Sequence, residues 1–129
     1  MSQNTTWEIN GVSLTLDLSD ADTMERYEAA FDQLAADEKA IPKDGKASLR
    51  IRAYCAMFRR LYDSIFGEGT SARIFADTPD NIHSYDSVYC SLLDYVRAQS
   101  ASNAQHTAEL VSKYAPNRAQ KRAIKHQKK

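Results

Sequence analysis

Six cations, Arg118, Lys121, Arg122, Lys125, Lys128 and Lys129, stand in the closing stretch NRAQKRAIKHQKK without an acid among them. Asn117 can cap a helix just after Pro116, and at helical spacing the six then fall within a stripe of about 120°. Such a stripe attracts anions, so its chemistry is the binding of phosphates or of carboxylates on another protein. Ile124 is the one large apolar residue there, too little to anchor a helix in a membrane surface. Three uses stay open: a disordered solubilising tail, an arm for nucleic acid, or a handle for an acidic protein surface.

Other reactive residue types are present without the spacing that reactions need. His83, His106 and His126 form neither HxxxH nor HExxH, the spacings that put two imidazoles on one helix face around zinc. Cys55 and Cys90 lack a CxxC arrangement and read as small buried residues in a reducing compartment. Gly67-Glu68-Gly69-Thr70 lacks the GK[ST] ending of a phosphate loop, so it reads as a helix stop followed by a new cap at Thr70. Neither a GxSxG elbow nor a GxGxxG fingerprint occurs, and the acids follow helix surfaces without a distinctive pair. The expectation is a protein that is not an enzyme and takes no cofactor and no metal.

The elements that must carry the basic stripe belong to one small domain. A chain of 129 residues, 43% hydrophobic and 26% charged, with four glycines and three prolines, suits a mainly helical body with one core. The formal charge is zero, but all 17 acids precede residue 116 together with 11 of the 17 cations. Residues 1–115, the expected folded domain, therefore carry −6 and the basic segment 116–129 carries +6. MSQNTTWEING lacks a basic start and an apolar run, and no apolar stretch approaches the length of a membrane span, so an intracellular protein without a membrane partner is expected.

The strongest local signal is WEINGVSLTLDL, Trp7 to Leu18. Asn10-Gly11 between alternating apolar residues predicts a two-residue type I′ hairpin pairing Ile9 with Val12 and Trp7 with Leu14. Leu16 and Leu18 continue the same face, so the hairpin should act as a lid on a helical core.

Three main helices follow by periodicity. The first, capped by Ser19 or Asp20 and running to about Lys39, turns Met24, Tyr27, Phe31 and Leu34 inward and shows Glu25, Glu28, Asp32 and Glu38. The second, Ser48 to Phe66, is apolar over half its girth, with Arg52, Arg59, Arg60 and Asp63 on an expected solvated face. After a short turn at Ser71 to Phe75 and the breaker Thr78-Pro79-Asp80-Asn81, the third presents Ile82, Tyr85, Val88, Tyr89, Leu92, Leu93 and Val96. The stretch AQSASNAQHTAEL after Arg97 either extends that helix or packs loosely, and Leu110, Val111 and Tyr114 offer a small apolar patch before Pro116. Tyr27, Tyr54, Tyr62, Tyr85 and Tyr89 lie on or beside these stripes, where rings complete a core more readily than they stack on bases. The fold expected is mainly α (α+β): an N-terminal β-hairpin on three main helices, with a basic C-terminal segment.

WEING, LSDADTMERYEAAF, FGEGT and KYAPNRAQKRA, in this order, resemble a small family of phage and prophage proteins of Gram-positive bacteria over nearly the whole chain. The ending NRAQKRA is similar to the carboxyl end of many phage tail assembly chaperones, small, mainly helical proteins that bind the tape measure protein while the tail tube forms. The resemblance implies no catalysis, the host bacterial cytoplasm as location, and a long helical client, the tape measure or another tail protein, with a homo-oligomer possible. On that reading Arg118, Lys121, Arg122 and Lys125, with Lys128 and Lys129 on the same stripe, make charge contacts, and Tyr114 is an apolar anchor. Two alternatives remain. One is a small phage nucleic-acid-binding or regulatory protein using the same arm, a less favoured partner because the acidic body repels a duplex. The other is a structural tail or scaffold component. Gln127-Lys128-Lys129 can also be encoded by a slippery run of adenines, which would fit the two product lengths common among such chaperones.

Overall fold

The computed structural model describes residues 5–114. Strands β1 (Thr6–Ile9) and β2 (Val12–Thr15) pair antiparallel in the register Ile9↔Val12 and Trp7↔Leu14. Asn10 and Gly11 make the turn at φ 50° and 77°, the left-handed pair that a type I′ turn needs. Leu16 N–H continues the ladder to the Thr5 carbonyl at 2.8 Å. Trp7, Val12, Leu14, Leu16 and Leu18 all turn inward and are buried. Trp7 stacks on Tyr62 and Phe66 with ring centroids 6.0 and 5.7 Å away.

Helix α1 (Ala21–Ala40) starts at Asp20, whose carboxylate accepts from Thr23 N–H at 3.0 Å and Thr23 Oγ1 at 2.9 Å. The backbone bond from Thr23 holds that carboxyl below its usual range, as an N-cap does. Helix α2 (Ala47–Phe66) is the central element, packing against α1 and against α3 (Thr70–Ile74) and α4 (Ile82–Tyr114). Cys55, Met57, Phe58, Leu61, Tyr62 and Ile65 of α2 are buried. Arg26 Nε donates to the Ile65 carbonyl at 2.9 Å and Arg60 Nε to Asp37 at 3.0 Å, an order that makes α1 antiparallel to α2. Tyr54 donates to Asp86 and the Phe58 ring packs on Tyr89, contacts that join α2 to α4.

Four expectations are revised by this packing. Phe31 is only partly buried, and Ala30 is the one buried residue of α1, because α1 rests on α2 and leaves its far side in solvent. Cys90 is exposed while Cys55 is buried: Cys90 lies one position beyond Tyr89, on the outer side of α4. Thr70 is buried inside α3 and caps nothing; the Asp63 carboxylate takes the start of that helix instead, accepting from Ser71 N–H at 2.8 Å and Ser71 Oγ at 3.0 Å. The expected solvated face of α2 holds in part: Arg52 and Arg60 are exposed, whereas Arg59 and Asp63 are half-buried in contacts with other elements. Besides Asp63, Arg59 Nη1 donates to Asp80 Oδ1 and Tyr85 Oη, both at 2.7 Å, Arg52 reaches Asp80 at 3.3 Å, and Arg60 reaches Asp37.

The AQSASNAQHTAEL stretch extends the last helix, so α4 is 33 residues, about 50 Å long. Among the described residues no helix is long and apolar enough to cross a membrane.

Candidate partner-binding surface

Helix α4 leaves the body at Gln99. That residue is 3% exposed, and from Ser100 to Lys113 only Asn103 is even partly covered. The projecting part, fifteen residues to Tyr114, is about 22 Å long and is called the arm below. It begins as helix because nothing in its sequence breaks one: alanines alternate with small polar residues, with no glycine or proline before Pro116. Gln105 Nε2 donates to Glu109 at 3.3 Å along its surface. Leu110 is 42% exposed and Val111 54%, large side chains that none of the described residues covers.

The base of the arm is fixed by a polar clamp that sequence reasoning missed. Gln99 Nε2 donates to the Leu16 carbonyl at 2.6 Å and to Tyr95 Oη at 2.7 Å, and Tyr95 Oη donates to the same carbonyl at 2.7 Å. The Gln99 carboxamide oxygen accepts from Leu18 N–H. One side chain therefore satisfies both a donor and an acceptor of the extended segment after β2, as a neighbouring strand would. The signal available was positional: Leu92, Val96 and Gln99 recur at helical spacing, so Gln99 is the polar residue that continues an apolar stripe.

At the opposite end of α4 the Arg59 contacts hold the helix start against α2. Hydrogen bonding from Arg59 keeps the Asp80 carboxyl below its usual range. Tyr85 lies flat on Phe75, with centroids 3.9 Å apart and planes at 5°. Burial, with the Asp86 carboxylate that its hydroxyl contacts, pushes the Tyr54 phenol far up. These shifted groups lie in contacts that join helices.

The hollow beside β1 is lined by Thr6, Trp7, Glu8, Ser91 and Tyr95 and encloses about 450 Å³. Its hydroxyl nucleophile candidate, Ser91, accepts from Trp7 Nε1 at 3.0 Å, and no histidine lines it. His83 and His106 both sit on α4, about 34 Å apart along its axis. Among the described residues no group of three or more His, Cys, Asp or Glu side chains could hold a metal ion.

Tyr114 is the last residue of α4; its side chain, together with Arg118, Lys121, Arg122, Lys125, Lys128 and Lys129, lies outside the described residues. What the structure adds is the point from which that basic segment departs, the far end of an exposed helix. The body it departs from is acidic: Asp22, Glu25, Glu28, Asp32 and Glu38 are all exposed on α1.

The fold and this surface define a small hairpin-and-helix protein with a projecting helical arm. Residues 10–125 match the model of a family of unknown function (DUF6673), and the chain belongs to that family. The match runs from the hairpin turn through every helix and into the basic segment. No curated protein and no solved structure matches the chain.

Proposed function

We propose that this protein is a non-catalytic assembly factor of the phage tail assembly chaperone kind, acting in the host bacterial cytoplasm. Its client is the tape measure protein, bound while the tail tube forms. The observation that carries this reading is the arm. A single helix takes Leu110 and Val111 away from the body and leads directly to six cations, while the rest of the chain is net acidic.

A long helical client exposes apolar stripes before it is packed into a tube, and a helix presented without neighbours can lie along such a stripe. Cations just beyond it find acidic client segments at long range and speed encounter, whereas the apolar contacts slow release. Arg118, Lys121, Arg122 and Lys125 serve the first role, Leu110, Val111 and Tyr114 the second. The similarity of NRAQKRA to the chaperone ending supports the same assignment.

The test is co-purification of the full chain with the tape measure protein of the same genome. Capture is expected at low salt, weaker capture after truncation following Pro116, and a smaller difference between the two at high salt, where exposed charges are screened. Tight, salt-sensitive binding to nonspecific DNA with no detectable capture of the tape measure protein would overturn the proposal in favour of a nucleic-acid-binding role. The acidic exposed face of α1 argues against that outcome, since it repels phosphates.

A further inference from the structure

We propose that the seam between α1 and α4 is a docking surface for a basic amphipathic helix of another protein, whose arginine or lysine side chains lie among Tyr54 and Tyr89 and against Glu38 and Asp86. The surface belongs to the body and is separate from the arm on which the client reading rests.

Helices α1 and α4 both pack on α2 and make few contacts with each other, so α2 forms the floor between them. Five rings line this seam in an unbroken series. Tyr27 lies 4.7 Å from Phe31, Phe31 6.3 Å from Tyr89, Tyr89 4.9 Å from Phe58 and Phe58 5.0 Å from Tyr54, centroid to centroid. Phe58 is buried, and the other four are partly exposed. The core is thus closed below the seam while ring surface stays open to a partner. From Tyr27 to Glu38 the α1 wall is about 16 Å long, the length of about three helical turns.

Charge selects the occupant. Asp86 accepts from the Tyr54 hydroxyl, and the Glu38 carboxylate acts on the phenols of both Tyr54 and Tyr89. Among the described residues neither carboxylate is in an ion pair. The cations of the neighbourhood are engaged or turned away. Arg52 and Arg59 reach Asp80. Arg97 lies about 16 Å along α4 from Asp86 and pairs with Asp94, and Lys39 stands about 100° round α1 from Glu38. The exposed Glu25, Glu28 and Asp32 extend the negative potential along α1.

The fold also shows what a tyrosine ring beside a carboxylate takes. The Arg59 guanidinium stands 5.9 Å over the Tyr85 ring while it donates to Asp80. One turn further along α4, Tyr89 with Tyr54, Asp86 and Glu38 repeats that combination of rings and carboxylates, and a partner's guanidinium or ammonium completes it. Leucines beside that cation on the docked helix meet Tyr27, Phe31 and Leu34.

Isothermal titration of the full chain with synthetic helical peptides decides the point. The probe carries leucines on one face flanked by arginines, and its match has glutamines in place of the arginines. The arginine peptide should bind, and the glutamine peptide should be weaker by at least about tenfold. Glu38→Gln with Asp86→Asn should raise the dissociation constant of the arginine peptide at least about threefold, as should Tyr89→Leu, which keeps an apolar side chain but removes the ring. Glu25→Gln with Asp32→Asn makes the same change of charge on the outer side of α1 and should leave the constant within about twofold. Urea midpoints report whether each variant is folded, and Glu38→Gln alone, at an exposed position, carries the test where the others are not. No binding up to about 1 mM peptide, equal affinity for the two peptides, an unchanged constant for Glu38→Gln, or equal losses from the two pairs of acid changes would each reject the surface. The titration uses no tape measure protein, so its failure leaves the client reading standing.

Discussion

Gln99 Nε2 donates to the carbonyl of Leu16 at 2.6 Å across 83 positions of sequence. With the return bond from Leu18 N–H, this contact ties the amino-terminal hairpin to the point where α4 becomes an arm. Replacing Gln99 by Leu keeps the volume but leaves the buried Leu18 N–H without an acceptor, whereas the Leu16 carbonyl keeps Tyr95. A loss of about 1–3 kcal/mol is expected, read as a lower urea midpoint. An unchanged midpoint would mean that water replaces the carboxamide.

The Tyr62 hydroxyl is buried and is without a hydrogen-bond partner, and burial raises its phenol far above the ordinary range. Tyr62→Phe should therefore be neutral or stabilising, since it removes a desolvated group that gains nothing. Tyr85→Phe should cost about 1–2 kcal/mol, because the Tyr85 hydroxyl accepts from Arg59 at 2.7 Å and a bond to a charged donor is the stronger kind. Equal losses in the two variants by chemical denaturation would contradict the assignment of partners.

Acid should weaken the fold through Asp80. Its carboxyl is held below the usual range first by hydrogen bonding from Arg59, so the folded state binds this proton less readily than the unfolded chain does. Its contribution is complete above the ordinary carboxylate pKa of about 3.9 and is lost as pH falls through the lowered folded value. Asp37, lowered by Gln33 and Arg60, and Asp20, lowered by Thr23, add to the same window. Asp80→Asn should flatten, without abolishing, the drop in denaturation midpoint between about pH 4 and pH 2. A slope identical to that of the parent chain would remove Asp80 from the account.

Gly11→Val should destabilise the hairpin by more than about 1 kcal/mol. Gly11 sits at φ 77° with open space where a Cβ would go, so the cost is backbone strain, which a β-branched residue suffers most. The core change Leu61→Ala, at a position 2% exposed in the middle of α2, should cost about 2–5 kcal/mol. Thermal melts of the two variants separate a local fault from a central one: the Leu61 variant should fall further.

The hairpin register was legible because its cause is local: Asn10 and Gly11 tolerate positive φ, and a two-residue turn then dictates every pair from Ile9 and Val12 outward. The stripes of α1, α2 and the first half of α4 were legible for the same kind of reason, since helical spacing alone sorts Leu61 from Arg60, although Cys90, read as buried, lies outside the stripe and is exposed. Sequence also fixed the charge division, −6 before residue 116 and +6 after it. Tertiary structure alone decided which polar residues close the core. Arg59 with Asp80, Asp63 with Ser71, and Gln99 with Leu16 and Leu18 are chosen by how helices and hairpin meet in space, and spacing along one element cannot show a partner on another. It alone decided, too, where the body stops. Helix α4 continues in register past Gln99, and nothing in its periodicity marks the residue at which neighbours end, so the exposure of Leu110 and Val111 follows from the lengths of α1, α2 and the hairpin that do not reach them.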